Sequence, residues 1–276
     1  MREASKAEAQ DKATTKAPFD SAQGRRKLVN TKKGLTTYYS SCVRAFVIGL
    51  YSASGWGEGN SLKPKQPAQK GLWAGIVLAF ALWIVMFVYR PFNFWVMLTF
   101  STSLLSAVAF VLARPLFLGR ECTAKNALVG LFLAALLYAI FYVGNQFLMA
   151  VSRLFPALLP DRAGNIASVY ANLGGLSPAL VGLLLFFPIG FGEEVFWRGF
   201  VQRRLKERWG AGSAFILTTL LYTAVHVPTG NPVLILAALA CGLFWGGFYR
   251  ATGSLVPVLV SHMLWDPFIF VIAPIR

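Results

Sequence analysis

Seven apolar stretches dominate this 276-residue chain, at roughly 71–89, 93–112, 126–150, 179–202, 212–230, 232–250 and 254–273. Each is close to the ~20 residues that a helix needs to cross the hydrocarbon of a bilayer. Only 13% of the residues are charged and 56% are hydrophobic, against about 25% charged in a soluble domain. The expected fold class is therefore all-α, a polytopic transmembrane helix bundle of about seven spans. Any active site would be buried inside the bundle.

The net charge of +15 is unevenly placed, because residues 1–70 hold 13 of the 26 Lys and Arg. This segment reads as a basic, disordered cytoplasmic tail held near anionic headgroups. No nucleic-acid binding is expected of it, since it shows no fold signature and the rest is membrane. The first 40 residues do not look like a signal peptide. The apolar stretch Val43–Tyr51 is too short to span. Residues 71–125 read as N-terminal transmembrane helices and 126–276 as the functional core. The link at about 152–178 is polar and reads as an external loop. Cys42, Cys122 and Cys241 show no paired spacing, and no zinc pattern is present.

Orientation follows from Lys and Arg. With the N-terminus inside, Arg114, Arg120, Lys125, Arg203, Arg204, Lys206, Arg208 and Arg250 join the tail on the cytoplasmic side. Only Arg90, Arg153, Arg162 and Arg276 fall outside. The positive-inside rule favours this topology.

Against that apolar background, both histidines and three acids stand in short clusters. An ionisable group at membrane depth costs on the order of 2.5–3.5 kcal/mol on insertion scales, so it usually faces a protein interior and has a task there. Glu193, Glu194 and Arg198 form the first cluster, Tyr222 and His226 the second, His262 and Asp266 the third. Counted from the inner surface, Glu193 lies ~15 Å deep, His226 ~20 Å and His262 at most ~18 Å. Three clusters on three spans thus fall at similar depth, assigned to the cytoplasmic side.

Spacing assigns roles. Glu194 and Arg198 are four apart, share a helix face and can pair. Glu193 points about 100° away from that pair, lacks a local counter-charge, and is the candidate base. The bland alternative is a charged helix end at the lipid–water boundary. Pro188, Gly190 and Gly192 precede the acids, and a kink with a small-residue groove would admit water or an extended peptide. His226 shares a face with Tyr222; its bland reading is a hydrogen-bonded packing residue. His262 and Asp266 are also four apart, so the carboxylate can orient the imidazole, unless the pair only stitches helices together. Gly242 and Gly246 form a small-residue pair, read as an internal bundle contact rather than a homodimer face.

The order Glu-Glu-x-x-x-Arg, then aromatic-x-x-x-His, then His-x-x-x-Asp on consecutive spans resembles the CPBP family, the CAAX proteases and bacteriocin-processing enzymes also called Abi proteins. The local context Gly-Glu-Glu-Val-Phe-Trp-Arg-Gly-Phe at 192–200 is similar too. The resemblance covers about 176–276. It implies that Glu193 is the general base with His226 sharing the water, that His262 and Asp266 line the oxyanion site, and that Glu194 and Arg198 support the site. Tyr222 replaces the commoner Phe. Asp266 stands where prenyl-protein processing members have Asn, and an oxyanion needs donors, so orienting His262 is the alternative role for Asp266. Zinc on Glu193, His226 and His262 is an alternative mechanism. It would consume Glu193 as a ligand and leave no base to activate water, so a metal-free site is favoured and no cofactor is assigned.

The expected function is intramembrane endopeptidase, cleaving a membrane-tethered peptide or protein near the cytoplasmic leaflet. The expected location is the plasma membrane of a bacterium. Two rivals use the same bundle: a catalytically silent protein for bacteriocin immunity or scaffolding, and a transporter with a proton relay, although internal repeats are lacking.

Overall fold

Helix boundaries follow local capping chemistry. In the computed structural model, which describes residues 67–113, 116, 121–157, 161–171 and 175–275, α1 runs Pro67–Ile84 and continues as a π-helical turn, Val85–Tyr89. Helix α2, Phe94–Leu112, begins at Asn93, whose side chain accepts from the backbone N–H groups of Trp95 and Val96. Helix α3 is Ala124–Leu154, capped by the Thr123 hydroxyl. Helix α4 is short, Arg162–Tyr170. Helix α5, Pro178–Leu184, has Ser177 as cap and proline in its first turn, where the missing N–H has no helical partner to lose. The one-turn α6, Phe191–Glu194, follows, then α7, Arg203–Ala224. Helix α8, Pro232–Thr252, is capped by Asn231 and stopped by Gly253 with φ 68°. Helix α9, Val256–Pro267, continues as a π-helical turn, Phe268–Ile272.

All of these belong to one compact unit, residues 63–276, with no strand among the described residues. The all-α expectation holds. Five helical runs are long and apolar enough to cross a membrane, and Val256–Ile272 is a shorter apolar helix. The run Pro178–Thr229 contains two of the seven spans drawn from sequence. It breaks at Phe187 (φ −154°, ψ 127°) and again at Gly210 (φ 78°), a backbone region that glycine enters without a Cβ penalty. The tail, Cys42, the stretch 43–51, Arg114, Arg120 and Arg276 lie outside the described residues.

The loop expected at 152–178 is corrected in part: it contains α4. Asn231 explains this, because its amide donates to the Asn165 carbonyl (2.7 Å) and the Ser168 hydroxyl (2.9 Å). Its Oδ1 meanwhile accepts from Val233 and Leu234 at the start of α8.

Close helix approach sets the frame around the acids. A Cβ at Gly130 of α3 would lie 2.6 Å from Val260 Cβ on α9, and one at Gly192 would lie 2.8 Å from the Thr102 carbonyl on α2. Gly190 abuts the Met263 backbone in the same way. The expected small-residue groove is therefore corrected: Gly190 and Gly192 are buried in helix contacts. Gly242 and Gly246 face Thr219, Tyr222, Gln202 and Phe215, so this pair is an internal contact, as expected. Large apolar side chains such as Val77, Phe100, Phe132 and Val143 are exposed around the bundle, a surface suited to lipid.

Candidate active site

The acids ride on α6, a single α-helical turn between two π-helical stretches, Leu185–Gly190 and Val195–Gln202. Inserted π turns are frequent at functional sites because the extra residue re-aims side chains. Here two neighbouring glutamates are aimed at different surroundings.

Glu194 is fully buried. Its Oε1 accepts from Arg198 Nη1 at 2.8 Å and lies 2.8 Å from His262 Nδ1. Arg198 also donates to the Cys241 carbonyl on α8 at 3.4 Å, and its guanidinium lies 4.8 Å from the Tyr222 ring centroid. The other His262 nitrogen, Nε2, lies 3.2 Å from Asp266 Oδ2. Trp245 stacks on the His262 ring at 3.9 Å and 19°, and is held by its own N–H to Ser261 Oγ. This assembly ties the segment after α5 to α8 and α9. Buried charges of this kind are tolerated only when paired and hydrogen-bonded.

Among the described residues Glu193 makes no salt bridge of its own. Its one hydrogen bond comes from the Tyr222 hydroxyl, at 3.0 Å. His226 stands at the end of α7 with Nδ1 2.8 Å from the Tyr222 carbonyl. Tyr222 therefore links both residues, one through its side chain and the other through its backbone. His226 also packs against Trp83 and Phe87 of the first helical run.

Glu193, His226, His262 and Asp266 all line one cavity of about 320 Å³, so the structure brings the sequence-nominated residues together. Glu194 and Arg198 lie behind it. The cavity extends past Trp83, Leu98 and Leu234 to Arg90, Ser168, Thr229 and Asn231. That mouth is where the first helical run stops and α2 and α8 begin. The cluster Arg203, Arg204, Lys206 and Arg208 opens α7 and Arg250 closes α8, at the opposite end. A cytoplasmic-leaflet site and a cytoplasmic N-terminus thus do not fit together. Counting from residue 212 put His226 far from the inner surface, and the turn at Val227–Thr229 puts it next to the other one.

The zinc alternative does not fit this arrangement. His262 spends both ring nitrogens on carboxylates and has no lone pair to offer a metal. Among the described residues no three His, Cys, Asp or Glu side chains converge on a metal-holding point. Both His262 ring nitrogens face carboxylates, and Asp266 stands within reach of one of them.

Sequence reasoning gave Tyr222 no role beyond an aromatic position, although its four-residue spacing to His226 was visible. Trp245 and the Cys241 carbonyl gave no sequence signal.

Residues 175–268 match the family model described as type II CAAX prenyl endopeptidase Rce1-like. The likeness is confined to this segment. The resemblance to CAAX proteases drawn from the motifs holds over it, and it contains every residue nominated for the site. No curated protein and no solved structure gives a significant match to the chain.

Proposed function

We propose that this protein is an intramembrane endopeptidase that hydrolyses a peptide bond of a membrane-associated substrate with water activated by Glu193. The observation that carries this reading is the unequal fate of two adjacent acids: Glu194 is consumed by Arg198 and His262, while Glu193 reaches the cavity with only a tyrosine hydroxyl on it. A carboxylate outside any salt bridge accepts a proton from water as that water attacks the scissile carbonyl, and returns it to the leaving amine. His226, with Nδ1 turned to the Tyr222 carbonyl, keeps Nε2 for the water or the substrate. Asp266 and Glu194 fix the His262 ring behind them. The Rce1-like match supports the peptidase class and a membrane-associated substrate.

The test uses the full-length protein in liposomes with membrane-tethered peptides. Glu193→Gln is expected to abolish cleavage while the protein stays folded. Equal processing by wild type and variant would sink the proposal.

The side of access is tested at Cys122, which is exposed and precedes α3 at the basic end. In a Cys42→Ser background, an impermeant maleimide is expected to label Cys122 only from the cytoplasmic side, which puts the cavity mouth on the other face. Labelling only from outside reverses both.

A further inference from the structure

The end of the bundle away from the cavity mouth carries a charged patch. Lys125 lies in the first turn of α3, Arg203, Arg204, Lys206 and Arg208 open α7, and Arg250 closes α8. Two acids stand at this end among the described residues, and both are engaged within the protein. Glu207 lies 3.0 Å from Arg204 Nη1 and 3.9 Å from Arg203 Nε. Glu121 accepts from the Leu255 N–H at 3.0 Å and from the Ser254 hydroxyl at 3.3 Å, at the start of α9. Arg204 Nη2 also donates to the Leu112 carbonyl at 2.6 Å, which ties the start of α7 to the end of α2. The side chains of Lys206, Arg208 and Arg250 remain exposed.

These three cations surround the break at Gly210. Lys206 and Arg208 precede it on α7. Arg250 reaches it from α8, with Nη2 3.9 Å from where a Cβ would stand on Gly212. An aromatic pair lies beside them. Trp73 of α1 and Trp209 of α7 meet with ring centroids 6.2 Å apart, and they are 42% and 40% exposed. The Arg208 guanidinium covers the Trp209 ring at 4.8 Å. Trp73 stands six residues into α1, ~9 Å along the helix. Indoles at such a depth match the headgroup level of a bilayer, where an apolar ring meets chains and its polar edge meets water.

The patch thus pairs two chemistries. The cations suit a phosphate with a net negative charge, and the indoles suit the hydrocarbon just beneath it. A free phosphate uses only the first. We propose that this patch binds an anionic phospholipid, with its headgroup on Lys206, Arg208 and Arg250 and an acyl chain along Trp73 and Trp209. The site is independent of the peptidase reading and lies outside the cavity.

The experiment uses full-length protein in a neutral maltoside detergent, titrated with phosphatidylglycerol or phosphatidylcholine. Bound lipid is counted by native mass spectrometry, and the thermal midpoint is followed in parallel. Every variant keeps residues 1–70, which hold 13 Lys and Arg of their own. Phosphatidylglycerol is expected to bind tighter than phosphatidylcholine and to raise the midpoint. Lys206→Gln combined with Arg208→Gln is expected to weaken phosphatidylglycerol binding about thirtyfold, as two surface cations would, with phosphatidylcholine binding unchanged. Trp209→Ser is expected to weaken it several-fold. Arg153→Gln, at the far end of α3, is expected to change nothing. If the double variant fails to fold, Lys206→Gln alone carries the test, with an expected loss of about fivefold. Phosphatidylglycerol binding that survives the Gln substitutions overturns the proposal, because other cations then hold the lipid. Equal binding of the two lipids, or equal weakening by Arg153→Gln, overturns it too. So does displacement of phosphatidylglycerol by inorganic phosphate at a matching concentration, or indifference to Trp209→Ser, because the site would then take a free phosphate.

Discussion

Glu193 and Glu194 are the same residue type, one position apart, on the same helical turn. Glu193 is 8% exposed and Glu194 0%, a small difference in burial that accompanies a complete difference in company. Glu194 holds together an arginine, a histidine and, through them, α8 and α9. Glu193 meets a cavity. A rotation of ~100° per residue is enough to send one carboxylate into the scaffold and the other towards the cavity. Chemistry is assigned here by direction rather than by residue identity.

Substitutions can break that comparison. The largest effect is expected at Glu193→Gln, with peptide cleavage down about 10²–10⁴-fold and the thermal midpoint in detergent close to wild type. If the midpoint collapses instead, Glu193 belongs to the scaffold as well. Arg198→Met should do the reverse. It takes one of two partners from a buried carboxylate and leaves only His262 on it, at a cost of up to about 3–5 kcal/mol, and is expected to appear first as a lowered midpoint; a stable but inactive variant would erase the distinction between the two acids. Tyr222→Phe sharpens it further. Removing the hydroxyl from Glu193 is expected to lower kcat roughly tenfold with KM little changed, in line with the worth of a hydrogen bond to a charged group. Unchanged kcat would mean that the tyrosine does not position the base. The smallest effect is expected at Asn231→Ala, which loses a helix cap and the link to α4, for about 1 kcal/mol.

The sequence made one part of this architecture legible and hid another. Apolar length located the spans, and the four-residue spacing found Glu194–Arg198 and His262–Asp266, because both relations are local to one helix. The contact between Glu194 and His262 is 68 residues apart in the chain and depends on how α9 is rotated against α6. Periodicity gives a face, not the partner that covers it. The glycines before the acids were misread for the same reason: small residues signal a close approach, and only the packing shows that helices α2 and α9 make it. Depth counted from one surface alone did not show that the cavity opens at the end away from Arg203 and Arg250. The helix α4 escaped notice because its nine residues are too few and too polar for an apolar stretch, and its attachment comes from Asn231, outside the segment.

The tie between Glu194 and His262 also has a consequence for biosynthesis. Glu193, the proposed base, is made well before α9, the helix that brings His262 and Asp266. Until α9 is translated and docked, Glu194 and Arg198 lack the imidazole that fixes them to it. A partly inserted chain therefore holds Glu193 without the finished scaffold, and under the proposed function the order of synthesis delays a working hydrolase until the fold is almost complete.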